Sequence, residues 1–259
     1  MSNLKEMTIA ENNLVSVAIR ANFSNENEDI YTDEKATEIM NKLNRDFRKA
    51  KKNKKKVRDE MAKVVLLDEM LSEFIKKHPN ANVVNVGCGL DTRYYRVDSE
   101  DLKWYNIDLE EIIKERNELL EEEKDNPKIK NIAISCTNEK WAEMIDSKGS
   151  KTLFIIESLS MYLRSQEVSK MLKIISNNFK NPEVYIHVVH SSQVKNVRQK
   201  RMYDEDIYIF GVKSGKDLEG ISKLKFEREK SVVDVYKKIG FSSFLKNRSK
   251  SEKIVVLKS

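Results

Sequence analysis

Along the first eighty residues, apolar positions recur at intervals of three and four. Leu14, Val17, Ala18 and Ala21 form one such series, and Ala36, Ile39, Met40 and Leu43 another. That spacing puts apolar side chains on one face of a helix, so two or three helices are predicted before any strand. The pattern repeats in "DEMAKVVLLDEMLSEFIKK", Asp59 to Lys77, at Val64, Leu67, Leu71, Phe74 and Ile75, and "HPN" stops it at Pro79. The period then changes. "NVVNV", Asn82 to Val86, is a short β-branched run ending at a glycine and reads as a buried strand running into a tight turn.

Further strands are expected at Lys103 to Asp108, Ile129 to Ser135, Thr152 to Ser158 and Glu183 to His190. Between them lie two helical stretches, "LEEIIKERNELLEEEK" from Leu109 and Ser165 to Asn178. Strands alternating with helices at this spacing predict an α/β fold: a mostly parallel sheet with helices on both faces. The last third is less regular. "DIYIFGV" reads as strand or loop, "KLKFEREKSVVDVYKKIGF" as a helix and "EKIVVLK" as a closing strand, with an antiparallel pair finishing the sheet.

Composition narrows the class. A chain of 259 residues with 39% hydrophobic content can bury a real core, and its net charge of +6 is modest for that length. Most of the excess sits in "RKAKKNKKKVR", Arg48 to Arg58, which reads first as a solvated face. As a nucleic-acid patch it lacks interleaved aromatics, so nucleic acid is not expected as a partner. Cys88 and Cys136 have no metal-like spacing and no metal site is expected; two unpaired thiols suit a reducing cytoplasm. The first twenty residues carry acids and no apolar core of a signal peptide, and no segment approaches the about 18 to 20 apolar residues of a membrane span, so no membrane partner is expected.

Only seven glycines occur in the chain, yet Gly87 and Gly89 flank Cys88 directly after the first strand. Parallel sheets bind ligands beyond the carboxyl ends of their strands, and glycine lets a ligand approach the backbone there. A helix following the turn would add free N–H groups. Asp108, ending the second strand, is placed to accept hydrogen bonds from ribose hydroxyls. Together these residues point to an adenosine-containing cofactor. Thr92 stands where a dinucleotide turn carries Gly or Ala, which disfavours NAD(P) and leaves S-adenosylmethionine as the better fit.

The strings "VVNVGCGLDTRYYRVD", "WYNIDLEEIIKER" and "FIIESLSMYL" closely resemble the leucine carboxyl methyltransferase family, especially its bacterial polyketide-type O-methyltransferase branch. The likeness runs from about Ile19 to Val189. It implies a class I methyltransferase, Rossmann-like domain over residues 61–259 behind a helical cap over residues 1–60, and the cofactor S-adenosylmethionine, released as S-adenosylhomocysteine. By position it implies that Gly87, Cys88 and Gly89 line the methionine part, that Asp108 with Leu109 holds the ribose, and that Ser135 and Cys136 contact the adenine. Glu157 matches an acid beside cofactor and substrate, Tyr162 the M-Y-L tyrosine, Arg20 a cap arginine, and Lys63 an arginine that pairs with the cofactor carboxylate. Four positions depart from the pattern: Lys63 for Arg, Ser135 for an acid, Ser158 for Gly, and His187 for Asp.

Methyl transfer from a sulfonium is an in-line displacement that requires alignment and exclusion of water. A carboxylate acceptor needs only a cation to position it, and Arg20, Arg93 and Arg96 are the candidates. A hydroxyl benefits from a base, for which His187 and, better placed at the strand end, His190 are candidates. Glu157, Tyr162 and His190 are thus the expected catalytic groups. Arg93 and Arg96 read more readily as packing or pairing residues than as substrate ligands, and Met161, Tyr162 and Tyr203 equally as core or cap. The expected function is O-methylation of a small-molecule or peptide acceptor. The departures leave open a non-catalytic S-adenosylmethionine-binding pseudo-enzyme, and the lysine run a nucleic-acid methyltransferase. Oligomeric state is not legible.

Overall fold

The structure, a computed structural model, describes residues 9–43, 53–97, 101–147, 149–194, 208–242 and 251–259. Arg48 to Lys52 of the lysine run, Tyr203 and the start of "DIYIFGV" lie outside the described residues. Three helices come first: α1 (Ile9–Glu26), α2 (Glu34–Leu43) and α3 (Lys54–Lys77). Asn53 caps α3, its side chain accepting the Lys56 N–H at 3.0 Å, and the chain leaves the helix at His78, just ahead of Pro79. Then follow β1 (Asn82–Val86), β2 (Lys103–Asp108), α4 (Glu110–Leu119), β3 (Ile129–Ala133), α5 (Lys140–Glu143), β4 (Thr152–Ile156), α6 (Ser165–Asn178), β5 (Glu183–Val188), β6 (Lys225–Ser231) and β7 (Lys253–Lys258).

The seven strands form one sheet in the order β3-β2-β1-β4-β5-β7-β6. β1 to β5 run parallel, and β7 is antiparallel to both β5 and β6. The sequence dictates which strands are central. "NVVNV", "TLFII" and "EVYIHV" are buried at every position, as strands covered on both faces must be. "KFEREKS" of β6 is charged and partly exposed, which suits the sheet's edge.

One core lies between the sheet and α3, where Leu67, Met70, Leu71 and Phe74 meet Val83, Leu153, Ile155 and Val256. A second lies on the opposite face, where Met171, Leu172 and Ile175 of α6 meet Val84, Phe154, Ile186 and Leu257. The third joins α1 and α2 to the turn after β1 through Leu14, Val17, Ala21, Ala36, Ile39 and Leu90. It docks the amino-terminal helices over the carboxyl ends of the strands. α3 runs unbroken through residue 60, the expected boundary between cap and methyltransferase domain.

Two expectations about elements are corrected. The stretch Lys223 to Phe241 is not a helix: Lys225–Ser231 is β6, and only Val232–Val235 makes a 3-10 turn. The open edge of β7 takes up the charged half, with Lys253 paired to Glu229 and Lys258 to Glu227, while Val232, Val235 and Tyr236 bury against α3. Tertiary pairing overrides the local helical period. The glycine turn is likewise followed by a single 3-10 turn, Arg93–Arg96, and not by a long helix. No helical N-terminus of useful length faces a ligand there.

Candidate functional site

At the carboxyl ends of β1, β4 and β5, a cavity of about 570 Å³ opens under α1 and the start of α3. That size suits a small-molecule site. Its floor is the turn Gly87 to Asp91, its inner wall Lys63, Glu157, Ser158 and His187, and its outer part Asn53, Lys55, Tyr162, Gln193 and Tyr208.

The two glycines are required by the chain itself. Gly87 has φ 71, and a Cβ there would lie 2.8 Å from Leu159 Cδ2; Gly89 has φ 48, and its Cβ would lie 2.8 Å from Asn13 Oδ1. Both conditions exclude an ordinary side chain. The Gly87 N–H donates to Ile107 O at 2.8 Å, and Gly89 N–H to Asp108 Oδ2 at 2.8 Å. The Leu109 N–H donates to Asp108 Oδ1 at 2.8 Å. The turn thus anchors the acid at the end of β2, and burial raises the pKa of Asp108 despite these two N–H donors. Leu109 is exposed beside it. Arg116 of α4 locks the turn from below: Nη1 donates to Gly89 O at 3.2 Å and Asp91 O at 2.8 Å, and Nη2 meets Glu123 at 2.5 Å.

Cys88 is buried at 3% exposure, and its thiol is pushed well above the ordinary range by that burial. It is a turn residue with no nucleophilic character. Ser135 and Cys136 follow β3 next to Asp108, because the Ile134 N–H donates to Asp108 O at 2.8 Å. Ser135 Oγ bonds Thr137 Oγ1 at 3.0 Å, and Cys136 O accepts Trp141 Nε1–H at 3.1 Å. Neither lines the cavity.

Glu157 is held between two cations. Arg93 Nη2 lies 2.7 Å from Oε2 and Lys63 Nζ 3.3 Å from Oε1. Burial would raise its pKa, but Arg93 and then Lys63 outweigh it and hold the carboxyl far below its ordinary range. Lys63 also donates to Glu60 Oε2 at 2.6 Å and to Ser158 Oγ at 2.7 Å. Burial opposes its charge, while Glu60 and then Glu157 raise its pKa above the usual lysine value. Ser158 sits at φ 51, the left-handed region that a glycine would occupy without strain.

The three substrate arginines are all engaged. Arg93 pairs with Asp68 at 2.6 Å, Asp91 at 2.6 Å and Glu157, and Arg96 with Asp68 at 2.9 Å and Asp33 at 2.9 Å. Neither lines the cavity. Arg20 does, but its guanidinium reaches Asp33 at 3.1 Å, Ser16 Oγ at 2.9 Å and Leu90 O at 2.8 Å, pinning α1 to the turn. The expected substrate role of Arg93 and Arg96 is therefore replaced by a structural one. The two histidines differ in place. β5 ends at Val188, and His190 lies beyond it, its Nδ1 accepting the Ser192 N–H at 3.1 Å, outside the cavity. His187, 2% exposed, lines the cavity instead, with Nε2 3.1 Å from Glu252 Oε2. Tyr162 stands at the mouth, 42% exposed, edge-on to Tyr208.

Sequence reasoning missed Glu60, Asp33, Asp68, Asp91 and Glu252. Glu60 stood three residues before Lys63 on a helix, which is a readable pairing signal. Glu252 gave none, since 65 residues separate it from His187.

An adenosylated sulfonium cofactor asks for an acid at the end of β2, a close backbone approach, and charges of both signs at its amino-acid end. The Gly87–Gly89 turn and Glu157 with Lys63 line the cavity and fit the last two, while Asp108, held by the Gly89 and Leu109 N–H groups, ends β2 without lining the cavity, and Leu109 beside it does not line it either. The family model described as leucine carboxyl methyltransferase matches residues 7–176. The tetracenomycin polyketide synthesis O-methyltransferase TcmP of Streptomyces glaucescens is 25% identical over 230 residues, 87% of this chain and 84% of that one. In fold the chain resembles a candidate methyltransferase from Thermobifida fusca (TM-score 0.58, 10% identity, 78% of this chain and 82% of that one). It also resembles magnesium protoporphyrin IX methyltransferase of Synechocystis, solved with S-adenosylhomocysteine (TM-score 0.50, 9% identity, 78% and 86%). With its Rossmann-like sheet, its glycine turn and acid, and a family match over most of its length, this chain belongs to the leucine carboxyl methyltransferase family of S-adenosylmethionine-dependent methyltransferases.

Proposed function

We propose that this protein methylates an oxygen atom of a small-molecule acceptor that enters between Tyr162, Tyr208 and the start of α3. The observation that carries the reading is the continuity of one cavity from the Gly87–Gly89 turn and Glu157 to that aromatic mouth. The cofactor supplies an activated methyl group, and the chain's task is to align it. On this reading Asp108 and Leu109 hold the ribose side, Ser135 and Cys136 border the adenine, and Glu157 and Lys63 face the amino-acid end. Residues 1–60 act as the cap: α1 and the start of α3 exclude water from the cavity, as a displacement at carbon requires.

Resemblance to TcmP supports an oxygen acceptor on a small molecule. Lys55 and Lys56 line the cavity mouth, which favours a pocket over a nucleic-acid track. Among the described residues no helix is long and apolar enough to cross a membrane, and both cysteines are free. A cytoplasmic setting is proposed on that reduced state.

Incubation with methyl-labelled S-adenosylmethionine and a panel of small phenols, alcohols and carboxylic acids tests the reading. Label in an O-methyl product is expected. Cofactor binding with no labelled product across the panel would favour a non-catalytic binder, a reading supported by the crowding of Lys63 by Glu60, Glu157 and Ser158.

A further inference from the structure

We propose that His187, positioned by Glu252, is the general base of this site, and that the acceptor is therefore a hydroxyl, phenolic or alcoholic, and not a carboxylate. The inference rests on the methyl-transfer reading and specifies its acceptor.

Three observations carry it. First, β5 alternates its side chains: Val184, Ile186 and Val188 pack toward α6, while Tyr185 and His187 face the α3 side. An imidazole on a buried central strand is costly unless its polar atoms are used. Nε2 is used by Glu252, the residue immediately before β7, which β5–β7 pairing (His187 opposite Ile254) brings alongside. Second, an ionised Glu252 accepts only, so the neutral imidazole carries its proton on Nε2 and presents a bare Nδ1. Nδ1 lies 3.5 Å from Ser158 Oγ, on the cavity wall. Ser158 Oγ already accepts from Lys63, so its own proton is available to pass to Nδ1. Third, the interior cations already carry carboxylate partners. Among the described residues Arg20, Lys63, Arg93 and Arg96 are each paired with carboxylates. Asp59, Glu60, Asp91, Glu157 and Glu252 line the same cavity. Past Lys55 and Lys56 at the mouth, an anionic acceptor would meet five acids, whereas a neutral hydroxyl meets a base.

In the reaction the acceptor's O–H proton passes to His187 Nδ1, directly or through the Ser158 hydroxyl. The oxygen lone pair forms the new O–CH3 bond, and the electrons of the broken C–S bond stay on sulfur. Glu252 offsets the imidazolium charge until the proton leaves to solvent. The charges around the imidazole are Glu252 ahead of β7, Glu157 after β4, and Glu60, Lys63 and Lys55 from α3; Tyr185, two residues back on β5, bonds Glu183.

Imidazole 15N NMR on the full-length protein with S-adenosylhomocysteine tests the tautomer, and with three histidines in the chain, His187→Gln assigns the signal. The expected result is Nε2–H with Nδ1 unprotonated at neutral pH; a proton on Nδ1 overturns the proposal whether or not an acceptor is turned over. With the panel above, His187→Gln should lower kcat on phenols or alcohols about 100- to 10,000-fold while leaving S-adenosylhomocysteine affinity unchanged. Glu252→Leu, acting through His187, should lower kcat with KM unchanged and bring the Nδ1–H tautomer into the 15N spectrum, which a merely structural role would not do. Turnover confined to carboxylic acids and indifferent to His187→Gln contradicts the proposal and leaves methyl transfer intact. Failure of the wild-type protein to bind S-adenosylhomocysteine removes both.

Discussion

At Ser158 the backbone turns left-handed (φ 51) while the hydroxyl accepts from Lys63. The two contributions are separable. Ser158→Ala and Ser158→Gly both lose the hydroxyl, but only glycine relieves the conformation. Thermal unfolding should find the glycine variant more stable than the alanine variant by about 1 kcal/mol. Equal stabilities would mean the strain is absorbed elsewhere. Asp33 offers a pH test. Burial raises its pKa, but Arg96 and Arg20 outweigh that and lower it from 3.8 to about 2. A depressed native value gives stability that is present above the unfolded pKa and is lost as pH falls through the folded one. Urea midpoints of the wild type and Asp33→Asn should therefore differ most above about pH 4. The difference, on the order of 2 kcal/mol from ionisation alone, should shrink as pH falls to about 2. A gap that stays constant from pH 5 to pH 2 would contradict it. At this scale the sequence was half informative: Gly87, Gly89 and Asp108 were legible because turn chemistry is local. The commitments of Arg93 and Arg96 were not, since Asp33 and Asp68 lie 63 and 28 residues from Arg96.

Among the elements, α4 matters beyond its packing, because its Arg116 ties Gly89 and Asp91 to a fully buried Glu123. Arg116→Met should cost about 3–5 kcal/mol in urea unfolding by stranding that carboxylate, and Arg116→Met with Glu123→Leu should recover part of the loss. No recovery would mean that the carbonyl contacts, and not the ion pair, dominate. β1 to β5 could be read in advance because each is a short stretch rich in β-branched, aromatic or other apolar residues, set between helical periods and turns. β6 could not. Its charged residues prefer no strand by themselves, and only the unpaired edge of β7, more than twenty residues later in the chain, makes one.

For the molecule as a whole, the strand order reverses between neighbouring parallel strands β1 and β4, β1 leading outward to β2 and β4 to β5, and the crevice at their carboxyl ends is roofed by the α1–α3 layer. This layout was legible from the alternation of helical and strand periods. The identity of the base was not, because it depends on which side of the sheet β5 presents to the cavity and on what β7 brings beside it. The cofactor site is the part on which everything else stands, and calorimetric titration with S-adenosylhomocysteine tests it most directly. The wild-type protein should bind one equivalent, and Asp108→Ala should weaken binding by about 1.5–3 kcal/mol, roughly 10- to 150-fold, for the loss of charge-assisted hydrogen bonds. No binding by the wild type, or an affinity unchanged in Asp108→Ala, would contradict the site.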